Sequence, residues 1–379
     1  MSPLDIVLFC HSLESDWNHG NAHFLRGVCR ALQERGHRVT AYEPRDGWSR
    51  THLLAERGGE AEIRGFHCVY PDLESHLYDL ETLDLDRALD GADLVLVHEW
   101  NPPELVRRLG EYRKHQGGYS LLFHDTHHRS ASEPASLAAY DLEGYDGVLA
   151  FGAAVREKYL KRGWADRVWV WHEAADATVF KPLPAITHDR HDRDIVWIGN
   201  WGDDERTAEL QEFFLEPVRD LKLRADAYGV RYPAEALEAL LAAGVRYRGW
   251  LPNFRVPEEF ARHRFTIHVP RRPYVEALPG IPTIRVFEAL ACGIPLITAP
   301  WRDSEGLFQA GRDYLVARDS EEMRHAMRAL MEDPDLSAEL ASHGRATILA
   351  RHTCGHRVNE LLAIHDELAA PAALQEAAV

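Results

Sequence analysis

Arg285 and Glu288 stand three residues apart within Pro282-Thr283-Ile284-Arg285-Val286-Phe287-Glu288-Ala289-Leu290-Ala291-Cys292-Gly293-Ile294-Pro295, a stretch punctuated at both ends for a short helix. Ile284, Phe287, Leu290 and Ala291 recur at helical spacing as the buried stripe, so Arg285 and Glu288 become neighbours on another face near the helix N-terminus. Free backbone N–H groups and the positive end of the helix dipole attract an anion there. Arg285 can add a forked contact to a diphosphate, with Thr283 and Ile284 opening the helix beneath it, and Glu288 can accept from ribose hydroxyls. The same spacing also describes an ordinary surface ion pair, which is common and weak, and these residues alone favour that reading.

Other chemistry follows the carboxyl ends of predicted strands, where open parallel sheets bind ligands. After the first strand come His11, Asp16, His19, Gly20 and Asn21; after the fourth, His98 and Glu99; after the fifth, His124, Asp125, Thr126, His127 and His128. His124, Asp125 and His19 are the candidates for acid/base work. A chain with 22 histidines also places some in loops by chance, where they only cap backbone groups. A metal held by His11, His98 and His124 is a further reading, although these loops have no fixed ligand spacing. Gly20-Asn21 opens the first long helix, so its backbone can approach a phosphate, but no second and third glycine complete a dinucleotide fingerprint. In the second half, Asn200 lies in the turn Gly199-Asn200-Trp201-Gly202. Arg271-Arg272 either neutralises a diphosphate or forms a solvated basic turn. Trp250-Leu251-Pro252 either frames a nucleotide base or packs on the core.

Two sets of alternating elements must position these groups. Asp5 to Cys10, Arg38 to Tyr42, Phe66 to Val69, Asp93 to Val97, Tyr119 to Phe123, Gly147 to Ala150 and Val168 to Trp171 read as strands, with helical patterns at Asn21 to Arg35, Pro103 to Lys114 and Ala153 to Arg162. After a polar, proline-containing stretch, alternation resumes with strands at Asp194 to Ile198, Lys222 to Tyr228, Val245 to Arg248, Phe265 to His268, Pro295 to Thr298 and Tyr314 to Val316. The pattern predicts two tandem α/β domains, each a doubly wound, Rossmann-like parallel sheet. The expected boundaries are 1–180 for the first domain, 181–193 for a linker, 194–355 for the second domain, 356–370 for a last helix and 371–379 for a small-residue tail.

Composition narrows the function classes. At 379 residues the chain exceeds one ordinary core. A formal net charge of -17 argues against nucleic acid as a partner. No apolar run is long enough to span a bilayer and no signal peptide opens the chain, so a cytoplasmic protein is expected, with peripheral membrane contact left open. Five scattered cysteines suggest neither a disulfide framework nor a cysteine zinc site.

The chain resembles the GT-B glycosyltransferases over most of its length. The first strand, the Gly20-Asn21 turn, Ala31-Leu32-Gln33-Glu34-Arg35-Gly36-His37 and Val39 look like the family's "G…L…GH-V" opening. Asp176-Ala177-Thr178-Val179-Phe180-Lys181-Pro182 is similar to its "D…F-x-P" segment. Arg285 to Gly293, Gly311-Arg312-Asp313-Tyr314 and Arg351-His352-Thr353-Cys354-Gly355-His356-Arg357 look most like the CgeB-like branch, named after spore-maturation proteins.

The resemblance implies two Rossmann-like domains, with the donor bound mainly by the second and a final helix, Val358 to Leu368, returning to the first. It also implies transfer of a sugar from a nucleoside diphosphate carrier, UDP in the leading form, to a hydroxyl acceptor, without a metal or other cofactor. The donor-binding positions are then Gly20, Asn21, Asn200, Trp250, Leu251, Arg271, Thr283, Ile284, Arg285 and Glu288. Two departures accompany it. Retaining members carry two glutamates eight apart, whereas Gly280 stands at the first position. The usual Arg and Lys after the second domain's first strand are missing from Gly199 to Glu205, so Arg271, Arg272 or Arg285 is expected to substitute. A sugar-nucleotide epimerase or hydrolase, or a noncatalytic binding module, is the alternative.

Overall fold

The computed structural model describes residues 2–183, 192–202 and 204–370. Part of the expected linker, 184–191, and the tail 371–379 lie outside the described residues. The chain divides into two compact units. The first comprises Met1–Ser15, Leu25–Glu173 and Cys354–Val379, and the second Asp16–Phe24 and Ala174–Thr353.

The first unit is built on a seven-stranded parallel sheet. Its strands are β1 (Asp5–Phe9), β2 (Arg38–Pro44), β3 (Ser75–Tyr78), β4 (Leu94–His98), β5 (Ser120–Asp125), β6 (Gly147–Ala150) and β7 (Val168–Val170). Their order is β3-β2-β1-β4-β5-β6-β7, which makes β1, β4 and β5 neighbours as expected and places the topological switch between β1 and β4. β4, β5 and β6 are buried along their whole length, which is why 94–97, 121–123 and 147–150 read as unbroken apolar runs rather than alternating ones.

One expected strand is corrected. Phe66 to Val69 ends the helix Gly59–Val69, and the third strand is Ser75–Tyr78. Glu60 and Glu62 fill the first turn of that helix and Phe66 is its buried anchor, so helical contacts outweigh the strand propensity of four residues. The last helix, Cys354–Ala369, belongs to the first unit. Arg35 donates to the Gly355 carbonyl (2.8 Å) and to Asn359 Oδ1 (2.9 Å), Ser120 pairs with His365 (3.0 Å), and Trp171 Nε1 donates to the Arg357 carbonyl (2.8 Å).

The second unit repeats the design with six parallel strands: β8 (Arg193–Ile198), β9 (Ala225–Tyr228), β10 (Val245–Tyr247), β11 (His263–His268), β12 (Leu296–Thr298) and β13 (Leu315–Val316). The order β10-β9-β8-β11-β12-β13 puts its switch point between β8 and β11. Trp197, Phe214, Phe265, Ile267, Ile297 and Met327 are core residues of this unit. The buried Asp313 ties the segment before β13 to the helix Pro334–Arg351. One carboxylate oxygen accepts from the Gln309 amide (2.7 Å), and the other meets His343 Nδ1 (2.6 Å) and the Thr347 hydroxyl (2.8 Å). Among the described residues no helix is long and apolar enough to cross a membrane.

Candidate functional site

The helix Ile284–Cys292 starts with Thr283 extended at its N-cap and ends at Gly293, whose φ of 66° is left-handed. No side chain caps its N-terminus. The Thr283 hydroxyl is instead 3.1 Å from His268 Nε2, at the end of β11, and His268 Nδ1 is 3.0 Å from Thr298 Oγ1. Thr298 gives its own proton to the Ala299 carbonyl (2.8 Å), so it accepts from His268 Nδ1–H and leaves Nε2 to accept from Thr283. Burial, followed by the charges of Arg206 and Arg285, pushes His268 down to about 3 and keeps it neutral. A helix N-terminus with no side-chain cap can receive an anion.

Glu288 is fully buried, with both carboxylate oxygens engaged. Oε1 accepts from Asn253 Nδ2 (2.6 Å) and lies 3.0 Å from His23 Nδ1, while Oε2 is paired with Arg285. Burial alone would raise its pKa. The Arg285 charge and the hydrogen bonds from His23 and Asn253 outweigh that and hold the carboxyl below its usual value. Sequence spacing anticipates the Arg285–Glu288 pair but neither His23 nor Asn253.

His23 arrives on the segment Asp16–Phe24, which belongs to the second unit. The Asp16 carboxylate accepts from the Asn253 backbone N–H (3.0 Å), and Asn18 Oδ1 accepts from Asn200 Nδ2 (2.7 Å). At the exposed apex, a Cβ on Gly20 would stand 3.3 Å from Ile284 Cγ2, so glycine lets this backbone lie close against the first residue of the helix. His19 and Asn21 flank that apex and are buried.

Past β8 and β11 three arginines gather. Arg206 and Arg271 both donate to Asn200 Oδ1, each at 2.9 Å. Arg271 also pairs with Glu205 (2.9 Å), whereas the other bonds of Arg206 go to the carbonyls of Asn200 (2.7 Å) and Val269 (3.0 Å). Among the described residues Arg206 has no carboxylate partner, and its buried Nε has no hydrogen-bond partner. Burial first, then Arg271 beside it, pushes Arg206 down to about 9. Arg206 follows directly on the Gly199 to Glu205 stretch that lacks basic residues, and its position one residue further on is its signal in the sequence. Arg272 turns instead to the carbonyls of Asp204 and Glu205.

The structure therefore draws Gly20, Asn200, Arg271, Thr283, Ile284, Arg285 and Glu288 into one connected set and adds Arg206, His23 and Asn253. Trp250 and Leu251 lead into it through Asn253, and the buried indole Nε1 of Trp250 has no partner among the described residues.

His124 and Asp125 lie in the first unit. Asp125, buried at the end of β5, accepts from the His127 N–H (3.1 Å) and the Tyr159 hydroxyl (2.8 Å). Burial and the neighbouring Glu99 charge raise its carboxyl well above the ordinary range. Glu99 is tied to Arg129 (2.7 Å), whose guanidinium lies 4.3 Å over the half-exposed ring of Trp100. His124 packs on Trp171 with ring centroids 4.8 Å apart, in apolar surroundings that include Ile6, Leu8 and Leu25, and burial lowers it to about 3. Among the described residues no group of three or more His, Cys, Asp or Glu side chains is arranged to hold a metal.

Two parallel α/β sheets and a last helix belonging with the first of them define the GT-B type of architecture. Residues 206–363 match the family described as Glycosyl transferase-like. No curated protein matches the chain. Among solved structures, an α-glucosyltransferase in complex with UDP has a TM-score of 0.70 at 12% identity, covering 96% of this chain and 100% of that one. HepE of Anabaena, in complex with UDP and glucose, gives 0.67 at 14% identity over 96% and 100%. Sucrose-phosphate synthase of Thermosynechococcus elongatus gives 0.63 at 15% identity over 96% and 99%. At these identities the likeness is one of fold.

Proposed function

We propose that the protein is a glycosyltransferase that takes a sugar from a nucleoside diphosphate carrier, UDP in the leading form, and passes it to a hydroxyl acceptor. The observation that carries this reading is Arg206, a buried guanidinium with no carboxylate partner among the described residues, beside Arg271 and near Arg285. A buried cation without a counter-ion is costly, and a diphosphate supplies the missing charge. The Thr283–Ile284 helix start adds backbone N–H groups, and Trp250 and Leu251 stand ready to frame a base. Helix dipole and arginines together stabilise the leaving diphosphate, so this chemistry requires no metal. The family match over 206–363 and the UDP in two of the related structures support the same donor.

On the acid/base side, the raised carboxyl of Asp125 moves toward the range useful to a base at neutral pH. His124, lowered to about 3, moves away from it, and His19 immediately precedes Gly20, whose backbone lies close against Ile284. The test is isothermal titration of UDP and UDP-glucose, followed by incubation of donor with and without a panel of hydroxyl acceptors. Binding with acceptor-dependent sugar transfer is expected. Free sugar or an epimer from donor alone would make the protein a hydrolase or epimerase, and absence of nucleotide binding would overturn the donor site.

A further inference from the structure

The geometry points to His23 as a positioning residue of the donor site, fixed as the neutral Nδ1–H tautomer, which aims Glu288 and through it Arg285. The role rests on the donor reading above, but the tautomer stands on hydrogen bonds alone. The Asp176 backbone N–H donates to His23 Nε2 at 2.7 Å. A backbone amide can only donate, so Nε2 carries the lone pair and the ring proton belongs on Nδ1, which faces Glu288 Oε1 at 3.0 Å. A doubly protonated ring would set one N–H against another. The ring is wholly buried and lies against Phe180, centroids 3.9 Å apart, so it cannot turn over without displacing that side chain.

The support behind His23 is equally specific. Asp176 forms a turn in which its Oδ1 accepts from the Thr178 N–H (3.2 Å) and its carbonyl accepts from the Phe180 N–H (2.8 Å). The segment Asp176 to Phe180 thus offers both the amide that selects the tautomer and the ring that holds the imidazole. At the other end, His23 and Asn253 both donate to Oε1 of Glu288 and leave Oε2 to Arg285. Asn253 is itself held by Asp16, seven residues before His23, which sits in the first turn of the helix Ala22–Gln33. The segment Asp16–Phe24 therefore grips one carboxylate at two points, directly through His23 and indirectly through Asn253. The orientation of Arg285 follows from that grip.

The two nitrogens of the ring can be tested separately. His23→Asn puts an N–H near the Nδ1 position and keeps the bond to Glu288. His23→Gln reaches the Nε2 position, toward Asp176, and loses Glu288; His23→Ala loses both. UDP affinity by titration calorimetry is expected to stay within about threefold for His23→Asn and to fall tenfold or more for His23→Gln and His23→Ala, since one charge-assisted hydrogen bond is worth at least a factor of ten. Thermal unfolding of each variant is measured alongside. If affinity follows stability across the three variants rather than the Nδ1 contact, His23 is only a packing residue and the proposal fails. Histidine-selective 15N NMR, with His23→Asn used to assign the signal, is expected to show an Nδ1–H imidazole; an Nε2–H or charged ring overturns the inference whether or not UDP binds. Failure of the wild type to bind UDP, with the tautomer as stated, would instead sink the donor reading.

Discussion

Burial of His124 sets a measurable acid sensitivity. Its ordinary pKa of 6.5 falls to about 3 in the folded protein, so below pH 6.5 the unfolded chain takes up a proton that the folded chain refuses. The folded state is therefore penalised progressively as the pH drops from 6.5 toward 3, and the contribution is fully present above that window. Each pKa unit corresponds to about 1.4 kcal/mol, so moving from pH 7 to pH 5 removes about 2 kcal/mol of stability through this one imidazole. Replacing it with a ring that cannot titrate, His124→Phe, should remove that component whatever the variant costs at pH 7. Urea unfolding of wild type and variant at pH 7, 6 and 5 measures the difference, and in thermal scans the effect amounts to about 4–8 °C at pH 5 for a unit of this size. Equal pH dependence in the two proteins, or an NMR titration of the folded wild-type imidazole centred near 6.5, would refute the argument. The second result would also restore His124 as a neutral-pH base.

Other outcomes follow from the same geometry. Arg206→Ala should weaken UDP binding about a hundredfold by calorimetry while leaving the far-ultraviolet circular dichroism spectrum unchanged, since the bonds lost are charge-assisted. Gly280 has φ 89° and a Cβ there would meet Ser304 Oγ at 2.6 Å, so Gly280→Ala should cost about 1–2 kcal/mol in backbone strain alone, read by urea unfolding. A glutamate at this position, eight residues before Glu288, would be worse placed still, and should not raise turnover. Asp313→Ala removes the acceptor shared by Gln309, His343 and Thr347 and should destabilise the protein by about 2–4 kcal/mol in the same assay.

What the sequence discloses depends on how local the signal is. The helix from Ile284 to Cys292 is legible because its stripe, its N-cap and its terminating glycine all lie within a dozen residues. The parallel sheets are legible because buried strands carry unbroken apolar runs, 94–97 in β4 for example. Phe66 to Val69 shows the limit: four residues of strand-like composition belong to a helix whose start is set seven residues earlier. The partners of Glu288 are harder still, because Asn253 and His23 are distant in sequence and neither type at that position announces a bond to a buried carboxylate. Arg206 is visible as a residue but not as a buried one; only the fold shows that its hydrogen bonds end on carbonyl oxygens and not on a carboxylate.

The segment Asp16–Phe24 also bears on how the chain is made. His23 and Glu288 are 265 residues apart, so at a synthesis rate of about 5–20 residues per second the segment leaves the ribosome tens of seconds before the carboxylate it will hold. Its native partners in the second unit arrive in turn: Asp176 and Phe180 for the histidine, then Asn253 for Asp16, and Glu288 last. That unit can gain its last polar lock only after its first-made piece returns to it, a late and long-range closure step. Nascent chains arrested shortly before Asp176 should therefore expose the segment to proteolysis, and chains released after the full sequence should protect it.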